Sequence, residues 1–137
     1  MNESSQESAP TSRPFSVTVA AIFLFVLAAL NVLGALYYLT ATSVDTEESV
    51  GTVVRVVGVM DLVIGAVQIY AAVKIWALSE SGRSMGVVIS AIGVGLGLLG
   101  VLRGGVNLIV PLALNAFIFY ALVREREAFS RRAGSQT

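Results

Sequence analysis

The sequence contains no cysteine and no histidine, and only 13% of its 137 residues are charged. Without cysteine and histidine, the chain cannot form a disulfide, a thiolate nucleophile, a histidine-ligated haem or a zinc site built from those ligands. Nine basic and nine acidic side chains give a formal net charge of zero, so no large basic field is present to attract nucleic acid. We therefore expect no cofactor, no metal ion and no nucleic-acid partner.

Charge is missing altogether from three long segments. No Asp, Glu, Lys or Arg occurs in residues 14–44, 84–102 or 104–123, which are 31, 19 and 20 residues long. About 20 apolar residues of helix cross a bilayer core, which is about 30 Å thick. The mean hydropathy of +0.81 agrees, and soluble domains carry roughly 25% charged residues. The composition therefore predicts a polytopic membrane protein.

Four membrane-spanning helices are predicted, three from these segments and one from an apolar segment that carries Arg55, Asp61 and Lys74. The predicted spans are residues 15–39, 53–78, 85–102 and 106–123. A flexible tail at 1–14 precedes them and a charged tail at 124–137 follows. Because the connectors are short, we expect an all-α fold, an integral membrane four-helix bundle whose sequential helices are antiparallel.

The basic residues predict the orientation of this bundle, since cytoplasmic segments hold an excess of Lys and Arg. With four spans, both termini lie on one side of the membrane. Seven basic residues belong to that side, namely Arg13, Lys74, Arg83, Arg124, Arg126, Arg131 and Arg132. Only Arg55 and Arg103 belong to the other side. We expect both termini in the cytoplasm and the protein in the inner or plasma membrane.

Small and polar residues mark the faces through which membrane helices pack, because close approach and interhelical hydrogen bonds drive their association. The second and third spans carry such residues at every third or fourth position, which places them on one face of each helix. They are Gly58, Asp61, Gly65, Gln68 and Ala72 on the second span, and Gly86, Ser90, Gly93, Gly97 and Gly100 on the third. Asn31 in the first span and Asn115 in the fourth add polar groups to the same interior.

The segment 95–100 matches the dinucleotide-binding pattern G-x-G-x-x-G. That pattern binds a nucleotide only after a strand and with an acidic residue about 20 positions further on. Here it lies within a charge-free span, and position 120 is Tyr. The glycines are therefore interpreted as a helix-packing face.

Asp61 is the most informative residue, because it lies about 12 Å inside its predicted span, eight residues past residue 53 at 1.5 Å per residue. A carboxylate at that depth is costly and is by default a functional hypothesis, here an intramembrane proton or cation site. Gln68, Asn31 and Asn115 are expected to join it. The structural interpretation is a protonated carboxyl, or one paired with Arg103 or Arg55, that holds the bundle together. Arg103 is the better candidate partner, because Arg55 lies six residues earlier on a different face of the helix.

Short motifs near the ends of the spans carry a resemblance that covers nearly the whole chain. They are Arg13-Pro14 with Val17-Thr18, Trp76-Ala77, and Tyr120-Ala121-Leu122 before Phe129. In these motifs the chain resembles small, uncharacterised four-span membrane proteins of prokaryotes. The resemblance implies the fold and no activity.

Two functions follow from this pattern. The first is a non-enzymatic accessory, assembly or regulatory subunit that acts by helix packing, whose partners are the lipid bilayer and either a second copy or another membrane protein. The alternative is a small oligomeric transporter or channel in which Asp61 binds a proton or cation. An enzyme is not expected, because the sequence shows no clustered catalytic residues.

Overall fold

The computed structural model describes residues 13–41 and 48–134, and these residues are almost entirely helical. The helices are α1 (Phe15–Ala41), α2 (Glu48–Trp76), α3 (Glu80–Leu102), a 3-10 turn at Val106–Leu108, α4 (Ile109–Arg124) and α5 (Arg126–Gly134). The all-α prediction is therefore confirmed for the described part of the chain. Most of the tail predicted at 1–14 lies outside the described residues.

Four of these helices are long and apolar enough to cross a membrane. The apolar stretches are Phe15–Thr40, Val50–Trp76, Glu80–Leu102 and Val106–Arg124. The prediction of four apolar candidate spans is confirmed, and together the four helices indicate a membrane protein.

Helices α2 and α3 begin at Glu48 and Glu80, earlier than the predicted starts at residues 53 and 85. An acidic residue in the first turn of a helix is stabilised by the partial positive charge at that end. Glu80 is such a residue in α3, and Arg83 three positions later forms an ion pair with it. The polar connector predicted at 79–84 is therefore mostly the first turn of α3.

The ends of α2 and α3 are closed by the same hydrogen-bond pattern. Leu78 has a φ of 54°. Its N–H donates to the carbonyl oxygen of Ile75, and the N–H of Ser79 donates to that of Lys74, both at 2.9 Å. After α3, the corresponding residue with positive φ is Gly104, at 91°. A left-handed residue other than glycine costs about 1–2 kcal/mol. Burial of the Leu78 side chain offsets that cost, because it adds apolar contact to the core.

The apolar core lies at one end of the molecule, where α1 and α3 begin and α2 and α4 end. Its largest buried side chains are Val17, Leu24, Ile75, Ile118, Leu122 and Phe129. Phe129 belongs to α5, within the segment predicted as a charged tail, and its side chain is fully buried. Part of that segment is therefore an element of the core.

Beyond this core, the helices associate mainly as two pairs. The contacts of α1 with α2 and of α3 with α4 are more extensive than those of α2 with α3 or α1 with α4. The buried residues of α3, namely Gly82, Gly86 and Ser90, all lie in its first half. The two pairs consequently separate toward the end where α3 meets α4.

Candidate functional site

Two amide side chains join α1 to α2 near the middle of both helices. Asn31 Nδ2 donates a hydrogen bond of 2.7 Å to Gln68 Oε1, and Gln68 is only 5% exposed. The helices approach closely here because Gly65 has no side chain. A Cβ on Gly65 would lie 3.0 Å from Val32 and 3.3 Å from the carbonyl oxygen of Ala28.

A third amide, Asn115 of α4, packs on Gly93 of α3. A Cβ on Gly93 would lie only 2.5 Å from Asn115 Cγ and Oδ1, so this position accommodates only glycine without movement. Asn115 Nδ2 donates to the carbonyl oxygen of Pro111 at 2.8 Å, which holds the amide against its own helix.

The three amides line a cavity of about 350 Å³ between the two helix pairs. The rest of its lining is apolar and includes Leu27, Val63, Ile64, Ile92, Leu96 and Pro111. The structure therefore brings Asn31, Gln68 and Asn115 together, although they are distant in sequence. Pockets of about 300–1,000 Å³, mostly apolar with a few placed polar groups, are typical of small-molecule sites.

Asp61 lies between α1 and α2, outside the cavity lining. Its Oδ2 is 3.8 Å from the position that a Cβ on Gly34 would occupy. Arg103 is exposed at the end of α3. Arg83 and Glu80 form an ion pair within 4.0 Å, whereas Asp61 and Arg103 do not.

The other predicted packing glycines each lie close to a side chain of a neighbouring element, and Ser90 is buried. Gly58 packs against Leu39 of α1, and Gly97 against Leu112 of α4. Gly86 lies between Ile75 and Leu122, whose terminal methyl groups would be 2.7 and 2.6 Å from an added Cβ. The remaining two are Gly100, which packs against Leu108, and Ser90, whose hydroxyl donates to the carbonyl oxygen of Gly86 at 2.7 Å.

Gly82, which is not among the predicted packing residues, makes one of the tightest contacts. A Cβ on Gly82 would lie 2.5 Å from both the carbonyl carbon and the Cβ of Lys74, and 2.7 Å from the Ile75 nitrogen. These are mainly backbone atoms, which cannot turn aside as a side chain can. The signal was present, because Gly82 lies four positions before Gly86, but the segment was assigned to a connector.

Polar contacts cluster at the end of the molecule that contains the core. The Arg13 guanidinium lies 4.3 Å from the centre of the Trp76 ring, which is a cation–π contact. Ser16 Oγ donates to Glu125 Oε1 at 3.0 Å and so connects the start of α1 to the end of α4. Within the described ranges, no group of three or more acidic side chains could hold a metal ion.

A family model described as "Domain of unknown function (DUF7144)" matches residues 16–127. The match includes the four candidate spans almost completely and every residue of the cavity. It agrees with the predicted resemblance to uncharacterised proteins. No curated protein and no solved structure matches the chain.

Proposed function

We propose that this chain, which belongs to the DUF7144 family, is a non-enzymatic multi-pass membrane protein that acts through helix packing, as an accessory, assembly or regulatory subunit. The observation that carries the proposal is the uncovered surface of α3. None of the residues in the second half of this helix is buried. Gly93, Gly97 and Gly100 pack against α4 or the turn before it, whereas Gly95 does not.

Ala91 and Gly95 form a pair of small residues four positions apart on this surface. Both are exposed, and a Cβ added to Gly95 would meet no atom of the described residues within 4 Å. Small residues with this spacing let two membrane helices approach closely. The described helices leave Gly95 uncovered and Ala91 exposed, so the pair supports packing of α3 against a second copy or another membrane protein.

The proposed topology is an antiparallel bundle in the inner or plasma membrane, with both termini in the cytoplasm. It is supported by the contacts of α1 with α2, because Gly58 packs near Leu39 whereas Gly65, later in α2, packs near Val32, earlier in α1. The seven-to-two distribution of basic residues supports the cytoplasmic assignment. The short motifs shared with prokaryotic four-span proteins agree with this location.

Cross-linking through single cysteines tests the proposal, since the natural chain has no cysteine. We expect Ala91→Cys to cross-link in native membranes to a second copy or another membrane protein, and Gly95→Ile to reduce that product in the same background. Ala116→Cys, on the exposed side of α4, is the matched control. No product at Ala91, or equal products at both positions, would overturn the proposal.

The alternative, a transporter or channel centred on Asp61, needs that carboxylate to face a passage. Asp61 Oδ2 lies 3.8 Å from the position that a Cβ on Gly34 of α1 would occupy. The cavity between the helix pairs has no ionisable side chain in its lining. The geometry therefore favours the helix-packing function over proton or cation transport.

A further inference from the structure

The cavity between the helix pairs lies at the middle of all four candidate spans. It is lined from α1 by Leu27 and Asn31, and from α4 by Pro111 and Asn115. The spans that contain these residues are Phe15–Thr40 and Val106–Arg124. In a membrane the cavity is consequently level with the hydrocarbon core and far from both aqueous phases.

Two amides with little exposed surface, Gln68 and Asn115, line this cavity. Gln68 and Asn115 are 5% and 7% exposed. Gln68 uses its Oε1 to accept from Asn31, and Asn115 uses its Nδ2 to donate to Pro111. No hydrogen bond joins Gln68 Nε2 or Asn115 Oδ1 to another described residue. Neither atom is among the fully buried atoms without a partner, so both keep some accessible surface. The cavity therefore offers a free donor from one helix pair and a free acceptor from the other.

A polar group in the middle of a membrane has no water to pair with, so an unpaired amide there is unfavourable. A ligand that supplies both an acceptor and a donor would satisfy the two amides together. A hydroxyl group is the smallest chemical group that does so, because it donates one hydrogen bond and accepts others. The ligand is also uncharged, since the cavity lining contains no ionisable side chain.

The cavity opens between α2 and α3. Val63 on α2 and Ile92 and Leu96 on α3 line it, yet they remain 59%, 57% and 63% exposed. Since these residues belong to candidate spans, the opening faces lipid. A ligand that enters by this route is dissolved in the bilayer and has an apolar body to match the apolar lining.

We propose that this cavity binds a neutral lipid with one hydroxyl group, which accepts a hydrogen bond from Gln68 Nε2 and donates one to Asn115 Oδ1. The lipid's apolar chain lies along the α2–α3 opening. The inference goes beyond the proposed helix-packing function. It requires only that the protein is in a membrane, and it does not use the outward residues Ala91 and Gly95.

Photolabelling of the full chain in lipid nanodiscs tests this site. The probe is hexadecanol with a diazirine in its chain, and labelled residues are located by mass spectrometry of the digested protein. We expect labels on α2 near Val63 and Val67 and on α3 near Ile92 and Leu96. Unlabelled hexadecanol should compete at about tenfold lower concentration than its methyl ether or hexadecane. Neither of those two compounds can donate a hydrogen bond to Asn115 Oδ1.

Two variants and one control make the test specific. Gln68→Leu removes the donor and should weaken labelling about tenfold, and Val67→Trp should abolish it by filling the opening while both amides remain. Asn107→Leu removes an exposed amide outside the cavity and should label as the natural protein does. Gel filtration and thermal unfolding show which variants are folded. If Gln68→Leu does not fold, the result with Val67→Trp decides the test.

Equal competition by hexadecane and hexadecanol would overturn the proposal, because it would mean that the amides do not recognise the hydroxyl. Undiminished labelling of folded Val67→Trp, or labels spread evenly over all lipid-exposed helices, would overturn it equally. A failure of Ala91→Cys to cross-link would not change the labelling of the cavity. The two proposals can therefore be contradicted independently.

Discussion

Gly93 of α3 lies directly beneath the side chain of Asn115 of α4, with 2.5 Å between an added Cβ and the amide carbon. In the other helix pair the first helix carries the asparagine and the second the glycine. Asn31 of α1 packs on Gly65 of α2, and the Asn31 Cβ lies 3.6 Å from the position of a Cβ on Gly65. Each pair thus combines one asparagine with one glycine at the level of the cavity. The glycine is what allows a polar side chain to fit between two closely packed helices.

Replacement of Gly93 by alanine should therefore destabilise the protein. The new methyl group would overlap the Asn115 amide, which is fixed by its bond to Pro111, and such overpacking costs about 1–3 kcal/mol. Thermal unfolding in detergent, followed by circular dichroism, measures the loss. Gly95→Ala is the control, because its methyl group enters open space and improves helix propensity by up to about 1 kcal/mol.

A double variant identifies the cause of that loss. If overlap with the amide is responsible, Asn115→Ala should recover part of the stability lost through Gly93→Ala, because it removes the amide that the new methyl group would overlap. Strictly additive losses in the double variant would contradict the contact.

Gly82→Ala should be more damaging than Gly93→Ala. Its methyl group would meet the backbone of Lys74 and Ile75, so the beginning of α3 has to move away from the end of α2. We expect a loss at or above the upper end of the range of about 1–3 kcal/mol, seen as a lower melting temperature and poorer yield. Ser84→Ala, at an exposed position of the same helix, should melt within a degree or two of the natural protein.

Asp61 and Arg103 should contribute to stability independently, because they form no ion pair in the structure. The effects of Asp61→Asn and Arg103→Gln on the melting temperature should therefore add in the double variant. A double variant no less stable than Asp61→Asn alone would show that the two residues are coupled.

Transport through Asp61 makes a separate prediction. In liposomes that contain the natural protein or Asp61→Asn, we expect the same background flux of protons and cations, because Asp61 packs against Gly34 away from the cavity. A flux in the natural protein that disappears in Asp61→Asn would restore the transporter function.

Phe129→Ala should release α5 from the rest of the molecule. The side chain is fully buried in the core, and removal of a buried phenylalanine costs about 3–5 kcal/mol. Limited proteolysis should then cut near residues 124–130 faster than in the natural protein. Ser130→Ala, next to it and exposed, should be cut at the natural rate; equal cleavage of both variants would contradict the docking of α5.

The sequence was sufficient to predict four apolar helices, because long segments without charge have few other interpretations. It also placed Asn31, Gln68 and Asn115 on inward faces, since helical spacing fixes the side on which a residue lies. It did not predict that Asp61 is apart from Arg103, because that depends on the rotation and separation of helices that are not neighbours in sequence. Phe129 was overlooked for a different reason, since one apolar residue in a charged segment gives no periodic signal.

The position of the core has a mechanical consequence. Among the described residues, the buried apolar cluster that joins all four long helices lies at the end where α1 and α3 begin, whereas the α3–α4 turn lies at the other end. We therefore expect the end of the molecule that contains the core to be stiffer than the end that contains the α3–α4 turn. A change in the lateral pressure of the bilayer would act mainly on the separation of α2 from α3, and so on the width of the opening between them.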